Sequence, residues 1–94
     1  MTPEHEQLYA RQPGYVAANL GEELAILDLA NNSYIGFNAT AAHVWRLLQE
    51  PQTFVGLSQS MVQEFDVDEE RCSKELSVLL DGLLKAGLIR IDNG

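Results

Sequence analysis

The sequence predicts an α+β domain in which a three-stranded antiparallel sheet comes first and three helices follow. Period-two alternation of apolar residues is confined to the region before Asn38. Gly21 and the pair Asn31-Asn32 cut that region into short extended runs, as turn residues do. After Asn38 the apolar residues recur at helical spacing instead. With 94 residues and 46% hydrophobic content, the chain can build one modest core.

The opening MTPEHEQLYARQP is polar and acidic, without the basic start and apolar middle of a signal peptide, so residues 1–13 are expected to be a flexible segment and residues 14–94 the folded domain. GYVAANL (Gly14 to Leu20) and EELAILDL (Glu22 to Leu29) have strand character, with Gly21 turning between them. Asn31-Asn32 can adopt the positive φ of a tight turn, which returns the chain as SYIGFN, Ser33 to Asn38. In this third strand Ile35 and Phe37 share one face, expected to be the core face, and Tyr34 and Gly36 share the other.

Asn38 or Thr40 can cap the first helix, whose stripe is Ala41, Val44, Trp45 and Leu48 before Pro51 stops it. Thr53 caps a second helix with the stripe Phe54, Leu57, Met61, Val62 and Phe65, weakened by Gly56. Asp66 and Glu69 have capping-box spacing, Asp68 is a second candidate cap, and the third helix runs to about Ala86. Its stripe is Cys72, Leu76, Leu79, Leu80 and Leu83, Gly87 closes it, and Leu88 to Ile91 can form a short extended tail.

Several chemistries find no support in these residues. Cys72 is the sole cysteine, and His5 and His43 fit no ligand spacing, so neither a disulfide nor a zinc centre is expected. No phosphate loop, CxxC, HExxH or GxSxG occurs, and the adjacent pairs Glu22-Glu23 and Glu69-Glu70 do not face one another. The reading is therefore a non-enzyme without cofactors. The longest uncharged run, between Asp28 and Arg46, is broken by polar residues, which excludes a membrane span and places the protein in the cytoplasm.

Strands followed by three helices resemble a winged helix-turn-helix in element content. A DNA-binding version needs cations on its third helix, and here Asp68 to Lys85 carries five acidic side chains against Arg71, Lys74 and Lys85. The formal net charge of −8 repels nucleic acid as a whole. The third strand, by contrast, has no charge and no proline, the devices that normally protect a sheet margin from foreign chains.

The order ELAILDLANNSYIGFNATAAHVWRLL, QTFVGLSQSMVQEFDVDEER and LLDGLLKAGLI resembles the PqqD-like family of precursor-peptide recognition elements, over Tyr15 to Ile91. The resemblance implies a domain that binds the leader region of a ribosomally made precursor peptide as an extra antiparallel strand, in a groove between the third strand and third helix. It assigns the docking rail to Ser33, Tyr34, Ile35, Gly36 and Phe37, with Gly36 allowing close approach. A proline at Ile35 would test that rail if the Ile35 N–H points outward. The second wall falls to Cys72, Glu75, Leu76, Leu79 and Leu83, where periodicity leaves groove and core both open, and Arg71 and Lys74 are candidates for pairing acidic leader residues.

The free-standing chain is more similar to the recognition proteins of lasso peptide pathways, which serve a leader peptidase and a cyclase, than to PqqD itself, whose client is a radical SAM enzyme. Two other readings stay open: an acidic winged-helix transcription regulator, and a subunit that pairs with itself through the same margin.

Overall fold

The computed structural model describes residues 7–92. Its strands are β1 (Leu8–Arg11), β2 (Tyr15–Leu20), β3 (Glu23–Asp28), β4 (Ser33–Phe37) and β5 (Ile89–Asp92), and its helices are α1 (Ala39–Leu47), α2 (Phe54–Phe65) and α3 (Glu69–Lys85). β2, β3 and β4 form an antiparallel meander with β3 in the centre, as the turn residues predict. The β2–β3 turn is Gly21-Glu22, with Gly21 at φ +73°. The Leu29–Asn32 turn is held by the Asp28 carboxylate, which accepts from the N–H groups of Ala30 and Asn31 and from the Asn31 amide. These hydrogen bonds, the Asn31 side chain first, hold the Asp28 pKa below the usual aspartate value.

A second, two-stranded sheet pairs β1 with β5, Leu8 standing opposite Asp92 and Arg11 opposite Ile89. This corrects the expectation of a flexible segment through residue 13. Ala10 is buried, Tyr9 exchanges main-chain hydrogen bonds with Gln52, and the Gln12 N–H donates to the Leu88 carbonyl. The physical reason is that Leu88 and Ile89 are core residues, and β1 satisfies the strand that carries them. Residues 1–6 of that segment lie outside the described residues. Arg11 also lays its guanidinium 4.6 Å from the Trp45 ring centroid and donates from Nε and Nη2 to the Trp45 carbonyl.

Each helix begins on a side chain of the expected type. Asn38 accepts from the Ala41 N–H, Thr53 from Gly56 and Asp68 from Arg71. Asp66 instead ends α2 at φ +51°, and Asp68 is the cap. α3 ends in a Schellman turn: Gly87 is left-handed, its N–H reaches the Leu84 carbonyl and the Leu88 N–H reaches that of Leu83. That turn swings the chain back so that Leu88 and Ile89 enter the core. The core itself joins the inner sheet face, through Leu24, Ile26 and Phe37, to Val44, Trp45 and Leu48 of α1, Leu57 and Met61 of α2, and Leu76, Leu80 and Leu83 of α3. No helix among the described residues is long and apolar enough to cross a membrane.

Candidate peptide-binding site

β4 is an outer strand of the meander, and among the described residues no strand lies beyond it. Ser33, Tyr34, Ile35 and Gly36 are exposed, and only Phe37 is buried. The register decides which of its main-chain groups are free. The two-residue Gly21-Glu22 turn is closed by Leu20 opposite Glu23, and such turns are closed by a hydrogen-bonded pair. Bonded and non-bonded pairs then alternate along an antiparallel ladder, so Glu23, Ala25 and Leu27 turn their N–H and C=O groups to β2. Leu24, Ile26 and Asp28 turn theirs to β4, where they meet Phe37, Ile35 and Ser33. Tyr34 and Gly36 are left with main-chain groups directed outward. The Ile35 N–H thus points inward, to β3, and a proline there tests the meander and not the margin.

Residues directly opposite one another share a sheet face. Ile35 therefore lies on the inner face with Ile26, and Tyr34 and Gly36 lie on the outer face with Leu27 and Ala25. A Cβ added to Gly36 would meet nothing within 4 Å, so the domain's own packing does not require glycine there.

Past the end of β4 opens a cleft of about 570 Å³. Asn38, Thr40 and Ala41 carry its lining on directly from β4. Met61, Phe65 and Val67 form a second side, at the end of α2 and the junction to α3. Cys72, Glu75, Leu76, Val78 and Leu79 of α3 form the third. Phe65 is steadied by His43, whose ring meets it edge-on at 5.5 Å between centroids, and His43 lies 3.2 Å from the Ser60 hydroxyl. The Cys72 thiol points to the Ser58 carbonyl, 3.9 Å away, so it fills the cleft floor as a small apolar group. Glu75 is the one charged residue in the lining and is paired with Arg71 at 3.1 Å, both side chains being mostly in water.

Of the α3 residues singled out in the sequence, the structure brings Cys72, Glu75, Leu76 and Leu79 to the cleft. Leu83 is buried in the core away from it, and Lys74 and Arg71 are exposed outside the lining. Val67 and Val78 were not singled out. Val78 lies off the core stripe and is 74% exposed, and an uncovered valine on a polar helix face is the signal that could have found it. β2 offers a second uncharged outer strand, but its surroundings differ: Arg46 bonds Asn19 and the carbonyls of Gly21 and Glu22, and the apolar cleft is not lined by any β2 residue.

Comparison with known proteins agrees with this architecture. No curated protein matches the chain. Two solved structures do: TbiB1 in complex with the TbiA(beta) leader peptide, with a TM-score of 0.78 and 23% identity over 86% of this chain and 94% of that one, and lasso peptide synthetase B1 complexed with the leader peptide, with a TM-score of 0.73 and 22% identity over 87% of this chain and 96% of that one. At such identities the likeness establishes the fold. The family model for coenzyme PQQ synthesis protein D matches residues 23–89, from the first residue of β3 to the first of β5, and the chain therefore belongs to the PqqD family.

Proposed function

We propose that this domain captures the leader region of a ribosomally synthesised precursor peptide as a fourth strand beside β4 and holds it for a modifying enzyme. The observation that carries the reading is the juxtaposition of an unguarded outer strand, with Tyr34 and Gly36 facing outward, and an apolar cleft that begins where the strand ends. Main-chain hydrogen bonds supply binding that is indifferent to sequence, and the cleft supplies selection. The two solved structures of similar fold described above are complexes with leader peptides, and one of them is a lasso peptide synthetase B1. That favours a leader peptidase and a cyclase as the enzymes served, over the radical SAM client of a PqqD proper. The domain is read as non-catalytic: it raises the local concentration of the precursor at its enzyme.

The direct test is titration of isotope-labelled protein with the cognate leader, read by amide exchange. The Tyr34 and Gly36 N–H groups should become protected, while Ser33, Ile35 and Phe37, already bonded to β3, should change little. An unaltered exchange rate at Tyr34 and Gly36 in the presence of bound leader would sink the reading. A gel shift at low salt addresses the regulator alternative, because DNA binding would be strongest there. Size-exclusion chromatography across a range of concentrations addresses self-pairing.

A further inference from the structure

We infer that the captured peptide carries a large apolar side chain, aromatic by preference, opposite Gly36, and that this side chain lies back over the glycine on the outer face of the meander, against Tyr34. It is a second anchor, on the face of the sheet away from the helices and their cleft. The inference rests on the strand-addition reading and deepens it by naming a feature of the peptide that is captured.

Glycine is out of place in the middle of β4. It weakens a strand, having the most backbone freedom to lose and no side chain to pack. Two structural needs could outweigh that loss, and neither applies here. The glycines with positive φ are Gly14, Gly21 and Gly87, whereas Gly36 has ordinary strand geometry. Nor does any neighbour crowd it, since a Cβ built at Gly36 meets nothing within 4 Å. The domain by itself would be better served by valine or threonine at this position. What glycine suits is the chain that lies beside β4.

The register fixes where that chain's side chain goes. Gly36 stands opposite Ala25 of β3 and directs its own main-chain groups outward, so a peptide residue faces it in a hydrogen-bonded pair. Residues directly opposite share a face, which puts the peptide side chain on the outer face. Two residues along β4 on that same face is Tyr34, 72% exposed, and opposite Tyr34 is the half-buried Leu27. Tyr34 and Leu27 make an apolar wall and Ala25 a low floor, and the missing side chain of Gly36 leaves the way to both open. A large flat side chain from the peptide fills this space. It covers the glycine backbone and meets the Tyr34 ring, as aromatic residues do when they compensate for a glycine across neighbouring strands. A β-branched residue in place of Gly36 would close the same space.

The test is a double-mutant cycle with a synthetic cognate leader. The leader position facing Gly36 is located first, by the cross-strand amide–amide NOE to Gly36, and should hold an aromatic or large aliphatic residue. Gly36→Thr should then weaken the native leader about 5–10-fold, and a leader with alanine at the facing position by less than about twofold. Tyr34→Ala should show the same selectivity between the two leaders. A small, polar or charged residue at the facing position, equal losses for both leaders, or no loss for either overturns the inference. In those cases protection of the Tyr34 and Gly36 amides by the native leader leaves strand addition standing without its second anchor, and absence of protection removes both. Gly36→Thr should keep or raise the urea midpoint. If the midpoint falls, Gly36→Ala, which adds one methyl group to open space, carries the same comparison with a factor of about 2–4.

Discussion

Ile35 of β4 stands directly opposite Ile26 of β3, yet Ile26 is fully buried and Ile35 is 38% exposed. The two share a sheet face, so the difference arises because the helices cover β3 and stop short of the margin. An isoleucine on the inner face that no helix covers is a surface waiting for a neighbour on its own sheet. Replacing Ile35 with Thr keeps β propensity and removes part of that apolar face. Stability should change by less than about 1 kcal/mol, while leader affinity, followed by fluorescence anisotropy, should fall several-fold.

Proline separates the two sides of the strand. Gly36→Pro deletes an outward N–H and is compatible with a margin strand, so the variant should fold and lose about 5–10-fold in leader affinity, the equivalent of one net hydrogen bond. Ile35→Pro deletes an inward N–H and should instead cost about 1–3 kcal/mol of stability in urea denaturation.

Val78→Asp probes the cleft without touching the core. The side chain is 74% exposed, so unfolding free energy should shift by no more than about 0.5 kcal/mol. A carboxylate beside an apolar anchor should weaken leader binding at least ~10-fold, measured by calorimetry.

Arg11 offers a contrasting case. Burial against Trp45 lowers its pKa, and its stem and guanidinium join β1 to α1. Arg11→Ala should lower stability by about 1–2 kcal/mol and leave leader affinity within about twofold, because β1 belongs to the other sheet and contributes no residue to the cleft lining. Removing residues 1–11 should be more damaging, since it strips β5 of its partner.

Acid should loosen the β3–β4 turn first. The folded pKa of Asp28 lies below its unfolded value, so its contribution is present above the ordinary aspartate range and is lost as pH falls through the folded value. The protection factors of the Ala30 and Asn31 amides, taken relative to intrinsic exchange at each pH, should fall in that window, and Asp28→Asn should remove this pH dependence of protection.

Much of this was legible in the residues themselves. Caps and turns are local chemistry, and Asn38, Thr53, Asp68, Gly21 and Gly87 declare them. The helical stripes follow from spacing, and their members are buried or half-buried. What stayed hidden is non-local. LYAR reads as a polar tail until the carbonyls and N–H groups of β5 are seen to need it. The cleft is assembled from α1, α2 and α3, so Asn38 and Met61 look like cap and core until all three helices are in place. Strand periodicity put Ile35 and Phe37 on one face correctly, but burial at the margin depends on how far the helices extend, which no alternation pattern encodes.

The β1–β5 clasp has a further consequence. Leu8 and Asp92 are neighbours across a ladder, so the polypeptide goes in and comes out through a single doorway. Splicing the unit into a host's surface loop would strain neither party, and β4, in the other sheet, would keep its margin clear of the graft. Such a module can be carried intact within a larger protein, its β4 margin still exposed.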